Sequence, residues 1–223
     1  MERHFDTELN QLKDKLLKMA GMVEEAISLS IKALVSRDET LAQKVIKEDE
    51  AINRIEIEID EMAFKLLALH QPTATDLRFI IMALRINTDL ERMGDLAVNI
   101  SERTLDLLKE PLLKPLIDIP RMAAMAQKMV KDSLDAFVKK DVELARSVCQ
   151  RDDEVDNLND QIFRELLTYM MQQTQTIKRA IDLILIAKHL ERIADHATNI
   201  GEDVVYLVQG KTIKHRIDQV RIQ

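Results

Sequence analysis

Eight residues carry the chemistry this sequence offers. Glu91 and Asp95 stand four apart, as do Glu191 and Asp195. Asp152 and Asp156 repeat the spacing, and Asp49 and Asn53 repeat it with one acid replaced by an amide. On a helix, residues at i and i+4 lie one above the other on the same face. Two carboxylates placed this way repel by roughly 0.2–0.5 kcal/mol. A chain that does this repeatedly gains something from the clustered charge. Oxygen donors with no cysteine among them suit hard cations: Mg²⁺, Ca²⁺, Mn²⁺, or iron as Fe³⁺. Four carboxylates carry more charge than one divalent ion needs, so a multinuclear cluster is open to such a site. The plainer alternative is a solvated acidic face neutralised by Arg85, Arg92 and Arg192. A lone pair of acids would deserve that reading; the repetition favours metal.

The elements that must position these acids are written twice. Residues 90–100 read LERMGDLAVNI and residues 190–200 read LERIADHATNI, identical at seven of eleven positions. A shift of 103 lays 19–38 on 122–141, bringing Met19 onto Met122 and Val35 onto Val138. After the second helix the shift drops to 100, so the first copy has three extra residues, placed in 70–75 around Pro72. Such self-similarity marks a tandem duplication. Each copy reads as three helices. The first runs from about residue 7 to 36, with Asp6 as its N-cap. Asp38 caps the second, which Pro72 ends. The third runs from about 75 to 110. Pro111, Pro115 and Pro120 then mark a boundary, giving domains 1–112 and 113–223. The second copy opens a helix near Asp118, caps the next with Asp141, turns at 173–176 and stops near Gly210. The tail from Lys211 reads as a loose end or a short helix. The expected fold is all-α, a tandem repeat of two antiparallel three-helix bundles.

Within each antiparallel hairpin, residues at equal height have numbers of constant sum. Asp152/Asp195 and Asp156/Glu191 share the sum 347; Asp49/Asp95 and Asn53/Glu91 share 144. The second and third helices of each copy can therefore bring four oxygen-bearing side chains together. The last helix has its main apolar stripe at Leu183, Ile186, Leu190, Ile193, Ala197 and Ile200. Glu191 and Asp195 lie roughly 120° around from it. Their own face carries Ile177, Ile181, Ile184 and Val205, as Leu77, Ile80, Leu84 and Val98 surround Glu91 and Asp95. The acids are set in a partly apolar surface. His196 adjoins Asp195, but Leu96 holds the equivalent place, so it reads first as a surface histidine or one that orients a ligand, with a direct ligand role as the alternative. Asn99 and Asn199, one turn beyond each Asp, either orient ligands or cap local backbone, and the first reading is favoured. Met19, Met22, Met122 and Met125 are core filler, and Cys149 is a small buried hydrophobe.

Composition bounds the rest. The chain has 223 residues, 46% apolar and 32% charged, with four Gly, four Pro, no Trp and 3% aromatics. Helix formers dominate, and an aliphatic core is affordable. The net charge of −7 argues against nucleic acid as a partner. One cysteine excludes an internal disulfide and a Cys-rich metal site. No apolar run approaches the ~18 residues of a membrane span, and MERHFDTELN has no signal-peptide core, so the expected compartment is the cytoplasm, without membrane insertion. No nucleotide-binding loop or nucleophile triad supports an enzyme. An iron-storing or oxygen-activating carboxylate protein is the first rival. Ferritin-like sites use Glu-x-x-His, and none of the five histidines has a Glu three residues before it. The second rival is a plain acidic helical adaptor without metal.

With these motifs in hand, the chain resembles the PhoU family of phosphate-uptake regulators over nearly its whole length. The resemblance rests on the two three-helix repeats and on Asp49, Glu91 and Asp95 in one copy and Asp152, Asp156, Glu191 and Asp195 in the other. Asn53 departs from the acidic pattern. The resemblance implies a cytoplasmic, often dimeric protein that is not an enzyme. It implies a link between a phosphate ABC transporter ATPase and a membrane sensor histidine kinase, which holds the phosphate-starvation response off. It also implies multinuclear iron or other metal clusters at these motifs, with Mg, Mn or Ca as alternatives. From the residues themselves, the second copy should bind metal more tightly, because Asn53 lowers the charge of the first.

Overall fold

The computed structural model describes residues 2–213, with side chains from residue 4. Six α-helices stand among the described residues: α1 (Glu2–Ser36), α2 (Glu39–His70), α3 (Ala74–Leu108), α4 (Asp118–Lys139), α5 (Val142–Gln172) and α6 (Ile177–Gln209). A short 3₁₀ turn, Thr174–Thr176, joins α5 to α6. The stretch between α3 and α4 holds Pro111 and Pro115, while Pro120 lies in the first turn of α4, where its missing N–H costs nothing. Asp6 lies inside α1 instead of capping it, because the helix begins at Glu2. The tail from residue 214 lies outside the described residues.

The first connection of each repeat is built in one way. Arg37 and Lys140, both with φ of 54°, turn the chain through the left-handed region. The amide of Asp38 donates to Ala33 O and that of Asp141 to Ala136 O, both at 2.9 Å, closing the preceding helix. The Asp38 carboxylate then accepts from the amides of Thr40 and Leu41, and Asp141 from Leu144. These caps are worth about 1 kcal/mol each. Arg37 returns something for its strained φ: its guanidinium donates to Leu108 O at 3.1 Å and Glu110 O at 2.7 Å, at the C-terminal end of α3. Gly210, with φ of 65°, ends α6 as its type allows.

Packing sorts the helices into a centre and two flanks. α1, α3, α4 and α6 pack around one another, α2 lies on α1 and α3, and α5 lies on α4 and α6. The core is continuous across both repeats, from Leu12 and Ile27 through Ile86 and Met93 to Met122, Ile193 and Ile200, all fully buried or nearly so. Met19 and Met122 are wholly buried, as filler should be, while Met22 and Met125 are only partly buried against the core. Gly94 and Gly201 let the flanking helices come close. A Cβ on Gly94 would sit 3.4 Å from Asp49 Oδ1, and one on Gly201 would sit 3.0 Å from Ala145 O. These neighbours match the height expected from the constant sums.

Candidate metal centre

Asp49 on α2 stands against Gly94 and within electrostatic reach of Asp95 on α3. Its Oδ2 accepts from Asn53 Nδ2 at 3.0 Å, while its buried Oδ1 accepts no hydrogen bond. Burial raises the Asp49 carboxyl above the usual range; the Asn53 amide pulls it down and Asp95 adds to the rise. Glu91 is also raised, by burial first and then by Asp95. Glu56, one turn beyond Asn53, contributes as well. Arg92 pairs with Glu91 at 3.3 Å and with Asp95 at 3.2 Å. A groove of about 270 Å³, walled by Met22, Val45, Ile52 and Val98, opens against Asp49.

The second copy is more strained. Asp152 on α5 is pushed up to about 6, by burial first and then by Asp195 and Asp156. Asp195 is raised by burial, Glu191 and Asp156; Asp156 is raised by burial and Glu191. Asp152 Oδ1 is buried and accepts no hydrogen bond. Lys188, one turn before Glu191, is ion-paired with it. The sequence-derived levels hold: Asp152 feels Asp195, and Asp156 feels Glu191.

All eight residues therefore lie in two facing sets, one per hairpin. The donors are all oxygen, and Asp49 Oδ1 in one set and Asp152 Oδ1 in the other are buried without a hydrogen-bond partner, which fits a hard cation. As the side chains stand, no three of the Asp, Glu, His and Cys among the described residues converge closely enough to hold an ion. The sets are facing acids, not closed coordination shells.

Other expectations were displaced. Ile80 and Val205 are fully buried and belong to the core, not to the acid face. Arg85 does not neutralise the acids. It crosses from α3 to α6 and pairs with Asp203 at 2.8 Å. His196 turns its Nδ1 to Asp89 Oδ1 on α3, 2.8 Å away, while its charge still acts on Asp195, and Asn199 donates to the same Asp89 oxygen at 3.4 Å. Asn87 carried no signal in the sequence, yet it is wholly buried and donates to Glu56 O at 3.0 Å and to Asp60 Oδ1 at 2.9 Å, tying α3 to α2. Cys149 is half-buried near Thr198 O, and burial pushes its thiol up to about 11. At pH 8 the protein should therefore react with iodoacetamide at least about tenfold more slowly than a free thiol, even after the greater nucleophilicity of a high-pKa thiolate is allowed for. A rate equal to that of free cysteine would contradict this burial.

The model of the PhoU domain matches residues 16–104 and again 119–204. The chain belongs to the PhoU family. The two matches fall on the two repeats. Among relatives, the phosphate-specific transport system accessory protein PhoU homolog of Aquifex aeolicus is 44% identical over 94% of this chain and 95% of its own length. The homolog of the same description from Pseudomonas aeruginosa is 40% identical over 96% of this chain and 89% of its own. The crystal structure of PhoU from Pseudomonas aeruginosa superposes with a TM-score of 0.91 at 41% identity, covering 93% of this chain and all of that one. That of the phosphate transport system regulatory protein PhoU from Streptococcus pneumoniae gives 0.88 at 33% identity, covering 94% of this chain and 99% of that one. The all-helical tandem repeat expected from the sequence is the fold of this family. Its members are accessory and regulatory proteins, not enzymes.

Proposed function

We propose that this PhoU-family chain is a negative regulator of phosphate uptake and of the phosphate-starvation response. It acts in the cytoplasm, as a homodimer, and links a phosphate ABC transporter ATPase to a sensor histidine kinase. The observation that carries the regulatory reading is kinship at 44% identity, over nearly the whole of both chains, with an accessory protein of a phosphate-specific transport system. None of the helices among the described residues is long and apolar enough to cross a membrane. Deleting the gene should raise transporter expression several-fold in phosphate-rich medium, measured by transcript level. Unchanged expression would count against the reading.

The metal part of the proposal rests on donor chemistry. Asp49, Asn53, Glu91 and Asp95 would hold one ion or cluster, and Asp152, Asp156, Glu191 and Asp195 the other, with iron favoured over Mg, Mn or Ca. Bound metal would supply positive charge that relieves the raised carboxylates and ties α2 to α3 and α5 to α6. A carboxylate-rich protein that stores iron or activates oxygen is the weaker reading, since the relatives are described as transport accessories.

A further inference from the structure

Two stretches of surface carry apolar side chains that the fold leaves uncovered, and they correspond between the repeats. Leu77 and Ile81 on α3 are each 39% exposed; Ile177 and Ile181, one hundred residues later on α6, are 39% and 44% exposed. Phe64 on α2 is 61% exposed, and its counterpart Leu167 on α5 is 42% exposed. By the constant sum of each hairpin, Phe64 stands level with Ile81 and Leu167 with Ile181. Single exposed apolar residues need no explanation. A matched trio on facing helices, kept through a duplication, says more: Ile57 gave way to Asp160 and Phe163 to Asp60 in the other repeat, while the exposed pair Val35 and Val138, also kept, stands alone at the end of its helix.

Each trio continues into acids. At 100° per residue, Leu77 and Ile81 lie on the helix face of Glu91 and Asp95, and Ile177 and Ile181 on that of Glu191 and Asp195. From Ile81 to Glu91 is about 15 Å along the helix. The facing helices add Glu56 and Asp60 in one repeat and Asp156 and Asp160 in the other. Two of the basic residues nearby are engaged: Arg92 with Glu91 and Asp95, and Lys188 with Glu191. Each strip is thus an apolar pad at the hairpin tip followed by an acidic band. A second copy of this chain would bring acid against acid, and an anionic membrane would be repelled. The complementary surface is apolar and basic.

We propose that each strip is a docking seat for a basic amphipathic helix of a partner protein, so that one chain holds two such helices. The apolar ridge of the partner would cover the trio, and its lysines or arginines would meet the acids. This goes beyond the regulatory reading and stands without it or the metal reading.

The test uses a fluorescent Leu/Lys peptide of about 18 residues with helical spacing, the same peptide with Glu in place of Lys, and the full chain in EDTA. Anisotropy and calorimetry should give two Lys peptides bound per chain and no measurable binding of the Glu peptide. Raising salt from about 0.05 to 0.5 M should weaken binding about tenfold. Phe64→Asp with Ile81→Asp should remove one site, and Leu167→Asp with Ile181→Asp the other; circular dichroism checks that both variants remain helical. Equal binding of the Glu peptide, or unchanged stoichiometry in both folded variants, overturns the proposal. So does sedimentation showing that the chain self-associates and that these variants abolish it, or loss in the same variants of binding to phosphatidylglycerol vesicles; the occupant would then be a second copy or a membrane.

Discussion

Replacing Arg85 by Met should lower the unfolding free energy by about 2–3 kcal/mol, a drop in Tm of roughly 4–10 °C for a chain of this size. Arg85 Nη1 lies 2.8 Å from Asp203 Oδ1, and the Asp203 side chain is only 2% exposed. Removing one partner of a buried pair leaves a charge in a poor solvent, which costs about 3–5 kcal/mol when both are buried. Here Arg85 is 44% exposed and Asp203 keeps other interactions, so the lower figure applies. Methionine retains most of the apolar stem, which confines the change to the charge. A second replacement, Asp203→Leu on the Arg85→Met background, should recover part of the loss, because it removes the stranded carboxylate. Urea unfolding of the parent, both single variants and the double variant decides it. A loss below about 0.5 kcal/mol for Arg85→Met would mean that water already screens the pair and apolar contacts alone hold α3 to α6.

That seam also marks where sequence reading stopped. Within a repeat, a short connection makes neighbouring helices antiparallel and fixes their register, so Asp49 could be set level with Asp95, and Asp152 with Asp195, before any coordinates. The contact between repeats has no such constraint. Nothing in the spacing says that Arg85 meets Asp203, that Arg103 lies 3.5 Å from Asp182, or that Asp89 takes both His196 and Asn199. The duplication itself misleads here. Arg103 and Asp203 hold equivalent places with opposite charge, and Arg85 corresponds to Leu185, so the seam does not repeat what the hairpins repeat. Ile80 and Val205 show a second limit. A helical wheel places them on the acid face, but α3 and α6 each touch several helices, and a wheel says nothing about how far round the neighbours reach.

In the metal-free protein at pH 7.5, Asp152→Asn should raise stability, by roughly 1–2 kcal/mol or about 3–8 °C in Tm. Asp152 is pushed up to about 6, by burial first, then by Asp195 and Asp156. A shift of about two units corresponds to about 3 kcal/mol, discounted here because the side chain is only partly covered. A carboxyl whose pKa is higher folded than unfolded holds protons preferentially in the folded state. Its cost is absent below about pH 4, grows as the pH rises toward 6, and is complete above that. The stabilisation by Asn should follow the same window and vanish near pH 4. Asn53→Asp should do the reverse in the first hairpin: it removes the amide that donates to Asp49 Oδ2 and adds a charge beside Asp49 and Glu91, both already raised. Metal should invert the ranking. With Fe²⁺ or Mn²⁺ in excess under anaerobic conditions, the parent should gain more stability than Asp152→Asn, and Asn53→Asp should gain more than the parent, because affinity for hard cations follows ligand charge. Thermal unfolding of the three proteins at pH 4, 6 and 7.5, with chelator and with metal, contains the whole test. If Asp152→Asn stabilises without metal and metal adds the same increment to every protein, the acids repel but do not bind. If it changes nothing under either condition, the acids are a solvated face and the facing sets are not a metal centre.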